Sequence, residues 1–350
     1  MTFMKIFAFP KSNFCYNDLL YREVERHGGE VVEGIFSGRW MISNMNRGDV
    51  AHFHWPSFQY ARIGRLSAIN GFFRWTAILL AMRMRGIKIV WSAHNLMPHD
   101  RSTLPFLDVW ARKLLIGISS KIFVHGEHAR RKLVERFPDA EQKTCIIPHG
   151  NFVGYYPLGE SKRVLREQLG IAQSSMVYLF IGLCKPYKNL QELILQFNRL
   201  EGDVALIIAG KFQDREYEAL IRSTAASDNR IKIYSGYIPD GEMHRYLTAC
   251  DAVVAPYRET LTSGTAMLAM SFGRPVISVA IGHLLDVVTP EVGELYDPAK
   301  PGALTQALQA IRQRPFDEAR IIAYARLFTF EDAARKILPA LDEQLRVLRA

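Results

Sequence analysis

The amino-acid sequence predicts an α/β protein with two doubly wound parallel sheets. Runs of buried-type residues such as KIVWS (Lys88–Ser92) and VYLFI (177–181) alternate with helical stretches in both halves of the chain. At 350 residues, the chain is long enough for about two domains of ~150 residues each. A looser stretch with glycine and proline, residues 152–161, separates the two alternations and is typical of an interdomain linker.

The N-terminal half is predicted to form a Rossmann-like domain at residues 1–152. Its strands are predicted at residues 5–9, 31–36, 50–55, 88–92, 121–125 and 144–148. Its helices are predicted at about 17–27, 66–86, 109–117 and 127–136. A C-terminal helix, at about 331–350, is expected to pack back on this domain.

The pattern restarts in the C-terminal half, which is predicted to form a second Rossmann-like domain at residues 162–330. Its strands are predicted at residues 177–181, 204–209, 231–234, 250–255 and 275–280, and its helices at 190–200, 216–226, 240–248 and 266–272. Two such sheets facing across a cleft form the GT-B architecture, in which ligands bind at the C-terminal ends of the strands.

Several features exclude other classes of protein. The cysteines are scattered without a disulfide framework or zinc-ligand spacing, as expected in a reducing cytoplasm; they are Cys15, Cys145, Cys184 and Cys250. No signal peptide is recognised at the start of the chain, and no GxGxxG motif follows the first strand. These observations favour a cytoplasmic protein.

The net charge of +9 belongs entirely to the N-terminal half. Residues 1–150 contain 21 Lys and Arg against 12 Asp and Glu, whereas residues 151–350 contain 23 of each. Such an asymmetry favours contact with an anionic phospholipid surface, a nucleic acid or an anionic substrate. Nucleic acid is disfavoured because no recognised binding motif accompanies the charge.

The basic, aromatic helix predicted at residues 66–86 makes a membrane surface the more specific partner. Its uninterrupted apolar run, 75–82, is far shorter than the ~18 residues that a spanning helix requires. The helix is therefore expected either to lie in a membrane interface or to pack on the face of a sheet. The residues expected to contact the membrane are Phe72, Phe73, Arg74, Trp75, Arg83 and Arg85.

A strand, a Ser-Gly-Thr turn and a helix in residues 253–278 predict an anion site in the C-terminal half. No carboxylate occurs from Ser263 to Phe272, and a helix N-terminus favours a diphosphate. A second loop, GLCKPYKN, adds a glycine and two lysines. The candidate donor-binding residues are Gly182, Lys185, Tyr187, Lys188, Gly210, Lys211, Tyr257, Glu259, Ser263, Gly264 and Thr265.

The loop at residues 94–100 supplies the candidates for a catalytic base, which must lie within hydrogen-bond reach of a hydroxyl nucleophile. These candidates are Asp100, His99 and His94. Structural alternatives remain open, because Asp100 would also suit a helix N-cap and His94 a buried position. The candidate acceptor-binding residues are Asn13, Asn17, His54, Trp55 and Asn95, with core packing equally open for Trp55.

Four motifs in this order carry a resemblance to a known family: HFHWP, SAHNLMPHD, FIGLCKPYKN and APYRETLTSGTAMLAMSFGRPVI. The sequence resembles bacterial exopolysaccharide enzymes of the GDP-mannose:glycolipid β-1,4-mannosyltransferase type, the xanthan-type glycosyltransferase family 94. The resemblance implies a GT-B fold, an inverting transfer from GDP-mannose, a polyprenyl-diphosphate-linked oligosaccharide acceptor and monotopic association with the inner leaflet. It also implies that Lys185, Lys188 and the 263–265 turn hold the donor diphosphate, and that Asp100 matches an acidic position.

A comparison with retaining family-four enzymes favours inversion. Those enzymes carry two glutamates, and the matching positions here are Thr260 and Leu268, with Glu259 one place away from the first. No DxD-like cluster occurs in these loops, so no metal or other cofactor is expected. Three alternatives stay open: a UDP-sugar-dependent glucosyl- or glucuronosyltransferase, a nucleotide-sugar 2-epimerase, and a non-catalytic nucleotide- or glycan-binding protein.

Overall fold

The structure is a computed structural model that describes residues 4–12, 14–98, 103–157 and 159–341. The chain divides into two compact units. The N-terminal unit comprises Met1–Gly150 together with Thr329–Ala350, and the C-terminal unit comprises Asn151–Phe328. Each unit contains a parallel sheet of six strands, counted over the described residues.

The sheet of the N-terminal unit has the strand order β2-β1-β3-β4-β5-β6. Its strands are β1 (Lys5–Phe9), β2 (Glu30–Glu33), β3 (Val50–Phe53), β4 (Lys88–Ser92), β5 (Lys121–Val124) and β6 (Thr144–Ile146). Strand β3 pairs with β1 and β4, which places Ile6, Val50 and Lys88 in one row. Every residue of β3 is buried, as expected for a central parallel strand.

Helices connect these strands in the right order for a doubly wound sheet. They are α1 (Cys15–Arg26), α2 (Gly38–Asn44), α3 (Ser57–Tyr60), α4 (Arg65–Met84), α5 (Pro105–Ile118) and α6 (Glu127–Arg136), and a 3-10 turn follows at Pro138–Lys143. Helix α1 buries Tyr16, Leu20, Tyr21 and Val24, whose spacing places them on one face. The first residue of α5 is Pro105, which suits a helix start because its missing N–H costs nothing there.

The sheet of the C-terminal unit has the strand order β12-β11-β10-β7-β8-β9. Its strands are β7 (Met176–Ile181), β8 (Val204–Gly210), β9 (Ile231–Ser235), β10 (Ala252–Ala255), β11 (Val276–Val279) and β12 (Gly293–Tyr296). This is the Rossmann order, in which the direction of winding reverses between β7 and β10. Strands β8 and β10 are buried along their whole length.

The helices of the C-terminal unit cover this sheet. They are α7 (Lys162–Gln168), α8 (Leu190–Phe197), α9 (Arg215–Ala225), α10 (Met243–Ala249), α11 (Gly264–Ser271), α12 (Leu284–Val287), α13 (Ala303–Gln313) and α14 (Glu318–Ala325), with 3-10 turns at Pro186–Lys188 and Asp240–Glu242. Asp214 caps α9 by accepting hydrogen bonds from the backbone N–H groups of Glu216 and Tyr217. The cap explains why α9 begins at Arg215.

The last described helix, α15 (Phe330–Leu341), belongs to the N-terminal unit and packs against α1. Its buried residues recur at helical spacing and form one apolar face: Phe330, Ala333, Ala334, Ile337, Leu338 and Leu341. The ring of Phe330 lies 5.3 Å from that of Tyr16 and fills the space beside Gly150, where any Cβ would overlap it. Residues distant in sequence thus complete the core of this unit.

Helix α4 has apolar residues on its inner and its outer faces. The structure corrects the assignment of Phe72 and Trp75 to membrane contact, because both side chains are buried in the core, where Trp75 contacts Phe53 and Phe36. The exposed apolar residues of α4 are instead Leu66, Ile69, Phe73, Leu80 and Met84. Within the described residues, no helix has both the length and the apolar character needed to cross a bilayer.

Some elements are absent from the sequence-based assignment. Helices α2 and α3 are too short for an apolar period, since each buries a single residue, Met41 and Tyr60 respectively. Among the described residues, strand β12 pairs only with β11, and it is partly exposed, so its residues lack the continuous apolar run of a central strand. The sequence of residues 281–315, which contain β12 and α13, therefore gives little indication of secondary structure.

Candidate active site

The candidate donor site lies where winding reverses in the C-terminal unit. The loops that follow β7 and β10 start from adjacent strands, and the loop after β8 lies next to that of β7. Ligands of open α/β sheets bind at this position, because loops from neighbouring strand ends diverge there and leave a crevice. The predicted donor-binding residues are located in these three loops and at the start of α11.

The first two loops are held together through their backbones. Gly182 N–H donates to the carbonyl of Ala209, and Cys184 N–H donates to that of Lys211 at 2.9 Å. A Cβ at Gly210 would lie 1.7 Å from the Gly182 oxygen, so only glycine allows this approach. Gly182 itself has a φ of 129°, a conformation that L side chains rarely adopt.

Lys188 is the cation of the candidate donor site that lies against two aromatic rings. Its Nζ lies 3.7 Å from the centre of the Tyr257 ring and 5.1 Å from that of Tyr187. Burial alone would lower the pKa of Lys188, but the two neighbouring phenol groups outweigh it, and this pKa is raised above its usual value. Lys188 is therefore a fixed positive charge at neutral pH.

Arg258 is a residue of this site that the sequence analysis missed. Its backbone N–H donates to the carbonyl of Tyr187, and its Nε donates to the side chain of Asn189, each at 2.9 Å. The loop after β10 thereby fixes the loop after β7. Asn189 has a left-handed φ of 59°, which asparagine tolerates better than most residues. The sequence signal that could have pointed to this contact is the tetrapeptide PYKN, which ends at Asn189 and is followed by a helix.

The N-terminus of α11 provides the second part of the anion site. Ser263 is its N-cap, with its Oγ accepting a hydrogen bond from the N–H of Ala266 at 3.3 Å. The serine hydroxyl is thus occupied by the helix, and the half-buried residues Gly264 and Thr265 follow it in the first turn, where a helix N-terminus favours an anion. Lys185 is half-buried, whereas Lys211 and Glu259 are exposed.

In the N-terminal unit, five buried histidines collect at the C-terminal ends of four adjacent strands. The histidines are His52 and His54 of β3 and its loop, His94 after β4, His125 after β5 and His149 after β6. The rings of His54, His94, His125 and His149 follow one another with centroid distances of 5.3, 5.5 and 5.0 Å. From the sequence, these histidines could be placed at or just after strand ends. The sequence did not show that they lie together.

Burial keeps four of these imidazoles neutral, those of His52, His54, His94 and His149. Desolvation lowers the pKa of His52 and His94 to about 3 and that of His149 to about 4, and it places the pKa of His54 well below its usual value. Neighbouring histidines add repulsion to any charge on His94. The positive potential of this unit therefore does not come from its histidine cluster.

The predicted acceptor-binding and catalytic residues have different environments. Asn17 is fully buried and donates its Nδ2 hydrogen to the carbonyl of Pro10 at 2.7 Å, and His54 is also buried, so both are corrected to supporting residues. Trp55 and Asn95 are half-buried, and the Trp55 ring stacks on His94 at 4.7 Å. Asn13, His99 and Asp100 lie outside the described residues.

The described residues contain no group of three or more His, Cys, Asp or Glu side chains arranged to hold a metal ion. The histidine cluster does not have this arrangement, since its nitrogens bond to one another and to hydroxyl groups.

Comparisons with known proteins identify the class of this enzyme. Residues 161–328 match the family of glycosyl transferases group 1. The GDP-mannose:glycolipid 4-beta-D-mannosyltransferase of Xanthomonas campestris pv. campestris is 25% identical over 321 residues, which cover 89% of this chain and 84% of the relative. This chain is a glycosyltransferase. The resemblance based on the four sequence motifs is confirmed by this match.

Solved structures confirm the GT-B fold of the glycosyltransferase. Anabaena Alr3699/HepE in complex with UDP matches with a TM-score of 0.70 at 14% identity, over 99% of this chain and 100% of that chain. A glycosyltransferase from Rickettsia africae ESF-5 matches with a TM-score of 0.65 at 14% identity, over 100% and 98% of the two chains. At these identities the matches establish the fold alone.

The neutral histidines predict a pH-dependent stability of the N-terminal unit. In the unfolded chain these histidines protonate near pH 6.5, whereas His52, His94 and His149 stay neutral in the fold down to about pH 3–4. The free energy of unfolding is therefore expected to fall as pH decreases from 6.5 to 5, with a slope for each histidine that starts near half of ~1.4 kcal/mol per pH unit and approaches that full value at pH 5. Urea unfolding followed by tryptophan fluorescence measures it, because all five tryptophans lie in residues 1–150.

The variant His149→Phe serves as a test of the cause. Removing one titrating group should reduce the slope of the unfolding free energy against pH by the contribution of up to one proton. This expectation holds whatever the effect of the substitution on stability at pH 7. A wild-type stability that stays constant between pH 6.5 and 5 would contradict the assignment of neutral buried histidines.

Proposed function

We propose that this glycosyltransferase moves a mannosyl group from GDP-mannose, with inversion, to a polyprenyl-diphosphate-linked oligosaccharide in exopolysaccharide assembly. The observation that carries the proposal is the match over 89% of the chain to an enzyme named for GDP-mannose and a glycolipid acceptor. A second Xanthomonas campestris enzyme of the same name matches over 78% of the chain at 24% identity.

The geometry of the C-terminal unit supports a nucleotide-sugar donor. A nucleoside diphosphate carries its negative charge on two phosphates, and the site offers a charged Lys188, the N-terminal turn of α11 at Gly264 and Thr265, and no carboxylate within α11. Charge-assisted hydrogen bonds and a helix N-terminus act on the leaving diphosphate as it gains charge in the transition state.

The side chains at the two family-four glutamate positions support inversion. Leu268 is buried in α11, and the Thr260 hydroxyl donates a hydrogen bond to the carbonyl of Thr262 at 2.8 Å. Neither position offers a carboxylate to a sugar at this site. A single displacement, with a base supplied by another part of the protein, requires no such carboxylate.

The donor and the stereochemistry are tested together. Calorimetric titration of the protein with GDP, UDP and dTDP, without added metal, is expected to show GDP binding at least about tenfold tighter than the others, about 1.4 kcal/mol. Transfer from GDP-α-mannose is expected to give a β-mannoside, identified by NMR of the product. Preferred binding of UDP would replace mannose by a glucosyl or glucuronosyl donor, and an α-mannoside would refute inversion.

The role of Lys188 gives a second prediction. Lys188→Met keeps the length of the side chain but removes its charge, and is expected to weaken GDP binding by roughly 10- to 100-fold, the value of a hydrogen bond to a charged group. The matched control is Lys300→Met, which removes an exposed lysine after β12 and should bind GDP as the wild type does. Equal affinities of both variants, with melting curves like that of the wild type, would exclude Lys188 from the donor site.

The outer side of α4 supports association of the enzyme with an anionic membrane surface. Its exposed residues Leu66, Ile69, Phe73, Leu80 and Met84 are separated by three, four, seven and four positions, which places them in one stripe along the helix. We name these five residues the outer stripe. Exposed arginines accompany the outer stripe: Arg65, Arg74, Arg83 and Arg85.

The neighbouring helix extends this character. Helix α5 packs against α4 and exposes Phe106 and Trp110, whose rings contact each other. Large apolar side chains of which half or more is exposed are costly in water but suit the boundary between lipid headgroups and acyl chains. Arginine adds attraction to anionic headgroups, so an inner-leaflet surface fits both the stripe and its charge.

Sedimentation with lipid vesicles tests the membrane assignment. We expect binding to vesicles of phosphatidylglycerol and phosphatidylcholine in equal parts, and little binding to phosphatidylcholine alone or at high salt. Leu66→Ser with Phe73→Ser should weaken binding by about tenfold or more per residue, from the loss of buried apolar area. The control Leu220→Ser removes an exposed leucine of α9 and should bind normally. Equal binding by the double variant would contradict the role of the outer stripe.

A further inference from the structure

Five buried groups of the N-terminal unit form one continuous hydrogen-bond chain. Ser92 Oγ lies 2.9 Å from Nε2 of His52, whose Nδ1 lies 2.9 Å from the Tyr21 hydroxyl. That hydroxyl lies 2.6 Å from Nε2 of His54, whose Nδ1 lies 3.0 Å from Nε2 of His94. His94 is the least buried member and ends the chain: among the described residues, its Nδ1 has no hydrogen-bond partner.

The protons of this chain must all point in one direction. A neutral imidazole carries its hydrogen on one nitrogen and accepts with the other, and the Tyr21 hydroxyl has a single hydrogen to donate. Both ring nitrogens of His52 and of His54 take part in hydrogen bonds of the chain. The donor in one of these bonds therefore determines the donor in every other bond. The tautomer of His94 is therefore coupled to the direction of the bond at Ser92.

Ser92 determines that direction. It is fully buried, and within the described part of the chain its hydroxyl has no hydrogen-bond partner other than His52. Buried donors are rarely left unpaired, whereas an oxygen lone pair is more easily left without a partner, so the hydroxyl hydrogen of Ser92 is donated to His52. His52 then donates through Nδ1 to Tyr21, and Tyr21 donates to His54.

The distances agree with this direction. The 2.6 Å contact between Tyr21 and His54 has the shortness expected when a hydroxyl is the donor, and the 2.9 Å contact between His52 and Tyr21 has the usual length of an N–H···O bond. His54 consequently donates through Nδ1 to Nε2 of His94, which leaves the hydrogen of His94 on Nδ1.

We propose that this chain fixes His94 in the Nδ1–H tautomer, so that His94 donates a hydrogen bond to a substrate oxygen and is not the catalytic base. Ser92, His52, Tyr21 and His54 are then positioning residues for the transfer reaction. The ring of His94 is held by stacking on Trp55 and by edge contact with Tyr16 at 4.8 Å, which fixes the direction of its N–H bond. The identity of the substrate oxygen rests on the proposed function, whereas the tautomer does not.

The tautomer is measured on the full chain without substrate, which separates this proposal from the donor assignment. Nitrogen-15 NMR of histidine-labelled protein at pH 7 distinguishes a protonated from an unprotonated ring nitrogen. We expect Nδ1 of His94 to be protonated and its Nε2 to be unprotonated. The reverse assignment, or an imidazolium, would overturn the proposal.

A matched pair of tyrosine variants tests the chain. Tyr21→Phe breaks it and should give His94 a mixture of tautomers, whereas Tyr16→Phe removes a hydroxyl that contacts His125 outside the chain and should leave the His94 signals unchanged. Ser92→Ala is the second variant if Tyr21→Phe does not fold, with the same expected mixture. An unchanged His94 tautomer in a folded chain variant would refute the coupling.

Two substitutions distinguish a role of His94 as hydrogen-bond donor from a role as catalytic base. His94→Gln keeps a neutral N–H donor, and His94→Leu removes it, so kcat/KM of the Leu variant should be about tenfold or more below that of the Gln variant. A base role predicts instead that both lose activity equally, by roughly 10²- to 10⁴-fold. Equal large losses would therefore overturn the proposal, and a selective loss in the Leu variant would support it.

Discussion

Helices cover both sheets of this glycosyltransferase, and the central strands are buried along their length, which leaves the strand ends as the places where polar side chains can gather. Strands β3, β8 and β10 have no exposed residue. Their polar neighbours therefore lie in the following loops, where water and ligands have access. Both candidate sites lie at strand ends because of this constraint, although the two units gather different types of residue there.

In the C-terminal unit the candidate donor site is built from loop backbones and one cation. The contact of Gly182 with Gly210 brings two loops into register, and Arg258 ties the third loop to them. Lys188 keeps its charge because it lies against the faces of aromatic rings. The N-terminal unit carries the excess positive charge of the chain at its surface, while its strand ends hold uncharged imidazoles that interact by hydrogen bonds of defined direction.

The sequence was sufficient for the fold. Strand β4 and helix α6 have the bounds that their apolar patterns predicted, because a buried parallel strand and a helix with apolar residues at helical spacing have strong local signals. The inward direction of Phe72 and Trp75 was not predictable, since α4 is apolar on both sides and its period does not reveal which side meets the sheet. The hydrogen-bond chain of His52, His54 and His94 required the strand order and the side-chain rotamers, which are properties of the tertiary structure.

Because α15 belongs to the N-terminal unit, the polypeptide passes between the two units twice. During synthesis, α1 leaves the ribosome more than 300 residues before its partner helix, and its apolar face has to wait for the last segment of the chain. Phe330, which contacts Tyr16 and His149, arrives in that same segment, so the histidine cluster lacks this aromatic neighbour until then. The unit that is made first is thus the one completed last, and the C-terminal unit has all of its own residues available earlier.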